Sequence, residues 1–499
     1  MHWTRTWVAV LATALALLAT GCPTICETSD RAPVSEGVTP RFGVLAYDQT
    51  RTEIYLLDQT GTAIEFPTAD PDDAAETLTE VWLDATYEWD DQLATIGIGL
   101  DGRMPWSQLP GGGVTIATTR YGRELVRFPF DTSPPQELRT APMLVARPEA
   151  SGGQVLDLVV VPASDTPDED DVDTLYALRA AGVDGETAFG QDVLVFELDP
   201  ENDEGGAVVD SISLAGLVTG APPQPERMVH RFDRLYIGLD GYQAQGSAEG
   251  TDLVAPSALA IVDPAGRRVV GTFTYDATDQ DLLRCAEIAP SLDPTNDPDN
   301  VVRLVVACRG VGGDVTARAE SAGIVEILVQ RDPENLDREP VVTLENAWSS
   351  QSFFATLPSR GLVPLPGRAA AFVSAGSIEE TLDDALYVVD LDSEESIRIR
   401  VASTPLLPDE LSGMGTGAFL PEGPDSGLLV WPLARRGVLR RRIRTVPASD
   451  GGRDVVVCPS DHSACTPEDA ALEDPVELCN GLLVDQVRLL DAPPPPPVP

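Results

Sequence analysis

Apolar positions along this 499-residue chain cluster in short β-rich runs separated by Gly-, Pro- and Asp-rich turns, and long stretches with helical spacing are scarce. One phrase recurs. An apolar strand ends near an Asp or Pro, a polar turn follows, and a second strand returns. The instances are 53–58 returning at 63–68, 124–131, 193–199 returning at 207–214, 258–263 returning at 268–275, 323–329 returning at 340–345, 385–390 returning at 397–401, and 427–431 returning at 438–446. Their starts lie 71, 69, 65, 65, 62 and 42 residues apart. Four-stranded units at a quasi-regular period are the signature of a β-propeller, in which a blade takes roughly 40–50 residues. The excess fits Asp-, Pro- and Gly-rich insertions such as 163–173, 199–206 and 242–251. A pair of β-sandwiches also shows short strands and turns, but it does not explain the repeated phrase. The expected fold is all-β: a single β-propeller of about seven blades, with six and eight as the adjacent counts, over 41–447, decorated by acidic loop insertions.

The phrase resembles the blade core of YVTN- and WD40-like propellers, where a strand ending in Val-Asp turns into the next strand; Val262-Asp263 and Val389-Asp390 carry it here. The resemblance covers about 41–446. No unit has a Gly-His dipeptide, and Trp89-Asp90 is the one Trp-Asp. Tryptophans at 82, 89, 106, 348 and 431 keep no constant place in the units. That argues against quinone-dependent propeller dehydrogenases, whose blades share a tryptophan docking motif. The β-like segments 453–458 and 482–490 follow the seventh unit and are expected to finish that blade or dock beside it.

The first residues read as a targeting segment. Arg5 precedes an apolar run at 8–19, which is too short to span a bilayer but suits a secretory signal. The run ends in Leu18-Ala19-Thr20-Gly21-Cys22, which resembles the lipobox of bacterial lipoproteins, with Ala19 where that family usually carries Leu. The resemblance implies cleavage before Cys22 and acylation of its thiol. Pro23 stands where the family's inner-membrane retention signal is an Asp, which implies sorting to the outer membrane, on the periplasmic side or the cell surface. Two or more acyl chains hold such an anchor stably. The competing reading is ordinary signal cleavage with Cys22 as a disulfide partner. The organisation is thus signal peptide 1–21, tether 22–40, propeller 41–447, a Cys-containing segment 448–492 that closes or docks on the propeller, and a polyproline tail 493–499.

Seven cysteines occur, and with Cys22 acylated six remain, an even number suited to an oxidising compartment. Cys285 and Cys308 sit in two β-like runs flanking a Pro-, Asp- and Asn-rich tip at 291–300, which predicts a cross-strand disulfide. Cys26, Cys458, Cys465 and Cys479 allow three pairings. The expectation is that Cys26 is tied to the C-terminal trio, clipping the two ends together. Zinc at the trio is disfavoured, because no spacing is C-x2-C and only His462 is nearby.

Charge then narrows the partners. The chain has 34 Lys plus Arg, all of them arginine, against 80 Asp plus Glu, a formal net charge of −46. This has the wrong sign for a nucleic-acid footprint and for adsorption to an anionic membrane surface. A hydrophobic content of 43% argues against wholesale disorder. Acid excess without lysine resembles salt-adapted proteins, although a GC-rich genome produces the same arginine bias. Inside this acid, Arg435, Arg436, Arg440, Arg441, Arg442 and Arg444 form a basic patch, with Arg440, Arg442 and Arg444 on one strand face. It is the candidate contact for an acidic partner, an anionic glycan or a lipid A phosphate; internal pairing with neighbouring acidic blades is the alternative.

Candidate chemistry is sparse. His2, His230 and His462 are too few for a multi-His metal site. No Gly-x-Ser-x-Gly elbow is present, and Gly111-Gly112-Gly113 lacks the Lys-Ser or Lys-Thr of a phosphate loop. Asp199, Glu201, Asp203 and Glu204 alternate like a calcium loop, yet Glu204 stands where an EF-hand needs Gly. Asp293, Asp297 and Asp299 form a second acidic loop. No catalytic or metal-binding residue is assigned, and calcium at these loops is the one cofactor considered. The expected function is a lipid-anchored cell-envelope propeller that binds protein or glycan as a non-enzymatic scaffold. It resembles, in anchor and fold, the propeller lipoproteins that assist outer-membrane protein assembly. The competitors are a lactonase-like propeller enzyme with carboxylates around a channel metal, and a calcium-stabilised surface protein.

Overall fold

A computed structural model describes residues 41–47, 52–62, 80–82, 106–108, 114–117, 125–128, 143–146, 155–161, 173–179, 182–184, 187–189, 191–198, 208–243, 253–275, 282–292, 299–312, 315–335, 338–350, 356–377, 385–392, 395–398, 416–433, 437–448, 453–472, 474–477 and 483–489. The signal, Cys22, Cys26, the tether, Arg435, Arg436, Cys479, the polyproline tail and most of both acidic loops lie outside the described residues.

Among the described residues, seven antiparallel sheets of four or more strands form, and they are the blades of a β-propeller. Named from the inside outward, the second blade is Trp106–Gln108, Val114–Ala117, Leu125–Phe128 and Met143–Ala146. The third is Val155–Val161, Asp173–Arg179, Asp192–Leu198 and Val208–Ser213, and the fourth is Pro225–Arg231, Arg234–Leu239, Ala258–Asp263 and Arg268–Thr274. The fifth is Cys285–Pro290, Val301–Arg309, Ala322–Gln330 and Val341–Ser349, and the sixth is Thr356–Leu365, Ala369–Ser377, Ala385–Asp390 and Glu395–Arg398. The seventh is Ala418–Gly423, Ser426–Leu433, Gly437–Pro447 and Arg453–Cys458, with Val476–Glu477 also pairing to its third strand. From the second blade onward the first strand of each blade touches the first strand of the next, so these strands surround a central channel.

The first blade closes the ring. Phe42–Tyr47, Thr52–Leu57 and Glu80–Trp82 supply three strands, and Leu483–Leu489 pairs antiparallel with Phe42–Tyr47 as the innermost. The segment around 482–490 therefore does not finish the seventh blade; Arg453–Cys458 does that, while the last strand completes the first blade. The physical reason is that the seventh blade already has four strands, whereas Phe42–Tyr47 would otherwise leave an unpaired edge on the channel.

The recurring phrase has a structural meaning. Its first six instances fall on the third strand of a blade, leading into the fourth where both are described. The seventh, at 427–431, falls on a second strand, which explains the short last interval. The return expected at 63–68 lies outside the described residues; the partner of Thr52–Leu57 is Glu80–Trp82. In the first and sixth blades the Asp at the end of the strand folds the turn by accepting backbone hydrogen bonds. Asp58 Oδ1 accepts from the amides of Thr60 and Thr62 at 2.7 and 3.0 Å, and Gly61 takes a positive φ of 71° beside Arg440. Asp390 Oδ1 accepts from Asp392 N at 2.9 Å, and its Oδ2 accepts from Val455 N of the next blade at 3.2 Å.

Blades stack face to face, so many strands are buried on both faces and read as continuous apolar runs rather than alternating ones. Leu304 and Val306 pack toward the fourth blade, while Val305 and Ala307 pack toward the sixth. Similar cores join the third to the fourth blade, the sixth to the seventh through Trp431, and the seventh to the first through Phe42 and Val487. Burying each such side chain contributes about 1.5–3 kcal/mol.

Two disulfides lie among the described residues. Cys285 and Cys308 face each other across the first two strands of the fifth blade, with Cα atoms 3.9 Å apart. Cys458 is bonded to Cys465, which corrects the expected clip of Cys26 to the C-terminal trio as far as these two cysteines are concerned. The chain turns back after the last strand of the seventh blade and brings their Cα atoms to 5.5 Å, within disulfide reach.

Candidate binding site in the central channel

Three consecutive inner strands begin with the same irregularity. In the third, fourth and fifth blades the register slips between Val155 and Asp157, between Pro225 and Arg227, and between Cys285 and Glu287. One residue bulges in each, namely Leu156, Glu226 or Ala286. A bulge re-aims the side chains beside it. The next residue is charged in every case, and the three are buried close to one another.

Asp157, Arg227 and Glu287 link blade to blade. Asp157 Oδ2 accepts from Met228 N of the fourth blade at 2.8 Å, and its Oδ1 lies 3.4 Å from Arg227 Nη1. Arg227 Nη2 is 4.0 Å from Glu287 Oε1 in the fifth blade. Glu287 Oε1 accepts from the amides of Gly361 and Leu362 in the sixth blade at 2.9 and 3.0 Å. Arg309 adds a second ring of contacts, donating to Glu226 at 2.7 Å and lying 4.0 Å from Glu287. Two bonds cross the channel itself. Arg227 Nη2 donates to Thr416 Oγ1, just ahead of the seventh blade, at 2.5 Å, and Arg488 Nη2 of the closing strand donates to Asp157 Oδ1 at 3.3 Å.

Above this charged floor lies a cavity of about 380 Å³. Its walls are Pro290, Leu292, Leu362, Val363, Phe419, Val487 and neighbours, contributed by the inner strands of six blades. An apolar concavity with a few convergent polar groups is the usual form of a small-ligand site. Among the described residues lining it, the charged ones are Asp157, Arg227 and Arg488. The carboxylates Asp157 and Glu287 stand on either side of the Arg227 guanidinium, which occupies the space a channel cation would need. The signal for this site in the sequence was a charged residue embedded in an apolar inner strand, as in Leu156-Asp157-Leu158 and Ala286-Glu287-Ile288.

The arginine stripe lies elsewhere, on the third strand of the seventh blade. Alternation does place Arg440, Arg442 and Arg444 on one face, with Ile443 and Thr445 buried on the other. That face is not an open basic surface, because the chain itself occupies it. Arg440 Nη1 donates to Thr60 O of the first blade at 3.2 Å, and Arg442 is paired with Glu422. Arg444 donates to Asp469 Oδ2 at 3.1 Å, and Arg442 Nε lies 3.6 Å from Asp469 Oδ1. Burial lowers the Arg440 and Arg442 pKa values from the usual guanidinium range. Burial also works to raise the Asp469 pKa, but the Thr466 amide and Arg444 outweigh it and hold the carboxyl below the usual carboxylate range.

Cys458, Cys465 and Asp469 converge so that their ligand atoms lie within 4.8 Å of one another. The two sulfurs are bonded together and the carboxylate is held by arginine, so the trio is a structural corner rather than a metal site. His230 sits on the inner strand of the fourth blade opposite Leu235, and burial lowers its pKa.

No protein-family model matches the chain, and no curated protein matches it. Solved structures resemble it in fold at low identity. An α-L-arabinofuranosidase from Fusarium graminearum shares 10% identity at a TM-score of 0.34, covering 71% of this chain and 92% of that one. An apocarotenoid oxygenase from Synechocystis shares 10% at 0.39, covering 83% and 88%. The Dos1 propeller shares 8% at 0.32, covering 77% and 73%. None of these likenesses bears on what this chain binds.

Proposed function

We propose that this chain is a lipid-anchored propeller of the bacterial cell envelope that works by binding, with the channel cavity as its recognition site and no catalytic step of its own. The observation that supports binding is the channel wiring. The Asp157 and Glu287 carboxylates are engaged by arginines and backbone amides, beneath an apolar cavity of about 380 Å³. Polar groups spent on holding blades together shape a pocket, whereas a catalytic carboxylate must reach a substrate proton or carbon. The anchor rests on Leu18-Ala19-Thr20-Gly21-Cys22. The partner or ligand is an envelope protein or a glycan.

Two measurements test the reading. Metabolic labelling with an alkyne fatty acid should tag the wild-type chain in envelope membranes and leave Cys22→Ser unlabelled; equal labelling of both removes the anchor. A photo-crosslinking amino acid at position 292, on the cavity rim, should give a discrete adduct in intact cells. If crosslinking gives none, the channel is not where this protein binds.

A further inference from the structure

We infer that a tetrahedral oxyanion, a phosphate or sulfate group, binds at one end of the propeller between Arg318, Arg284 and Tyr242. This is a second site, because none of the three lines the channel cavity. In the fourth and fifth blades the second strand ends where the inner strand begins, since the two run antiparallel. The link into the third strand therefore leaves both blades at that end. In the fourth blade it carries a small hairpin, Tyr242–Gln243 paired with Leu253–Val254. In the fifth it carries the helix Val315–Ser321. Arg284 sits in the link from the fourth blade into the fifth, immediately before Cys285.

Backbone hydrogen bonds lock these segments together. Leu283 N donates to Ser321 O at 2.9 Å, Gly310 N to Leu283 O at 3.0 Å, and Arg309 N to Arg284 O at 3.2 Å. Arg284 takes a φ of 60°, in the left-handed region that is costly for a residue with a Cβ. Such strain persists where the surroundings impose it, and it gathers at ligand sites. Here it accompanies a guanidinium held 4.3 Å over the Tyr242 ring, with Nε donating to Asp240 Oδ2 at 3.2 Å. Arg318 is paired differently. Its one hydrogen bond among the described residues runs from Nη2 to Arg309 O at 3.3 Å, and no carboxylate among those residues pairs with it. Arg284 has Asp240 and Arg309 has Glu226. Burial lowers the Arg318 pKa, the charges of Arg284 and Arg309 lower it further, and Tyr242 works in the opposite direction. A partly covered cation among like charges is relieved by an anion.

The donors select the kind of anion. Arg318, Arg284 and Tyr242 come from a helix, a link and a hairpin, so they approach from three separate segments. A carboxylate has two oxygens, and a single guanidinium fork fills them. A phosphate or sulfate monoester has three terminal oxygens, which two guanidiniums and a phenol hydroxyl engage together.

The test titrates the detergent-solubilised full chain calorimetrically, at fixed ionic strength, with inorganic sulfate, inorganic phosphate, glucose 1-phosphate and acetate. Sulfate and phosphate should bind saturably, and acetate roughly tenfold more weakly. Arg318→Gln should weaken sulfate roughly tenfold, and Arg318→Lys less, since it keeps the charge and loses the fork. Tyr242→Phe should weaken sulfate by less than Arg318→Gln does, because the ring stays beneath Arg284. Arg338→Gln removes an exposed arginine paired with Asp332 and should change nothing. Glucose 1-phosphate binding more tightly than inorganic phosphate assigns the group to an ester, and the reverse order assigns it to the free ion; either order supports the site. Acetate binding as tightly as sulfate, binding without saturation, unchanged affinity in Arg318→Gln, or an equal loss in Arg338→Gln would each overturn the inference. The wild-type probe series needs no variant, so a misfolded Arg318→Gln does not obscure the answer. If these probes fail while crosslinking from position 292 succeeds, the oxyanion site is wrong and the channel keeps its binding role.

Discussion

Arg227 in the channel and Arg444 on the seventh blade are each held by a buried aspartate, yet their surroundings differ. Arg227 is 9% exposed and sits between Asp157 and Glu287, whose side chains are each 3% exposed. Arg444 is 28% exposed and shares Asp469 with Arg442, which is 18% exposed. In the channel the charges have left water and depend on one another, so removing one strands its partner. On the seventh blade the arginines remain wetted, and losing the carboxylate returns them partly to solvent. The channel network joins inner strands from five blades and thereby fixes the geometry of the cavity. The stripe joins one blade to its neighbour's turn and to the segment that leads into the closing strand. Each region also has a disulfide beside it: Cys285 precedes Glu287 by two residues, and Cys465 lies four before Asp469.

The sharpest way to break this contrast is Asp157→Ala. It leaves Arg227 buried without its nearest carboxylate and Met228 N without its acceptor, and should cost about 3–5 kcal/mol. Urea unfolding would show this as a lower midpoint at an unchanged slope. A loss under 1 kcal/mol would mean that the channel charges are as well solvated as the stripe. The disulfides give the next largest effects. Opening Cys285–Cys308 with paired serines should cost about 3.5 kcal/mol and opening Cys458–Cys465 about 2.5 kcal/mol, since the second encloses the shorter loop. The reverse order would show that the corner at Asp469 carries more of the fold than its solvent exposure implies.

The features that were legible in the sequence are local ones. Val389-Asp390 marks a third strand because its Asp side chain folds the very next turn, an interaction within a few residues, and Val262-Asp263 ends another third strand, its carboxylate near Arg268 just across the turn. Cys285 and Cys308 were legible as partners because they flank one hairpin. The strand at 483–489 could be recognised as β, but its partner Phe42–Tyr47 lies at the other end of the chain, and no pattern in either segment names the other. The face of the arginine stripe followed from alternation, whereas its occupants, Thr60 and Asp469, come from segments 380 and 25 residues away. The channel site was missed for a different reason. Bulges at Leu156, Glu226 and Ala286 break the two-residue period just before each charged residue, so alternation does not report which face Asp157, Arg227 and Glu287 occupy.

On the stripe, Asp469→Asn should cost about 1.5 kcal/mol, clearly less than Asp157→Ala, because Thr466 N keeps an acceptor and the arginines keep water. Its pH dependence has a definite sign. The folded state holds the Asp469 carboxyl below its usual value, so its contribution is present above the unfolded pKa of about 4 and is lost as pH falls through the lower folded value. Urea midpoints from pH 6 down to pH 3 should therefore fall more for wild type than for Asp469→Asn. Parallel curves would show that Asp469 adds nothing through its charge.

The smallest effect marks the exposed end of the comparison. Arg234 donates to Glu339 through two nitrogens at 2.8 and 3.0 Å, but Glu339 is 48% exposed. Good geometry in high dielectric yields little, so Glu339→Gln should cost about 0.2–1 kcal/mol at low salt, and the cost should vanish in 1 M NaCl, where the Debye length is about 3 Å. Asp157→Ala should keep most of its cost in the same salt, because ions do not screen a pair they cannot approach. The ratio of the two costs across a salt series thus measures how dry the channel floor is. If both costs decay together, the floor is open to electrolyte, and the apolar cavity above Asp157 and Arg227 is continuous with solvent on both sides.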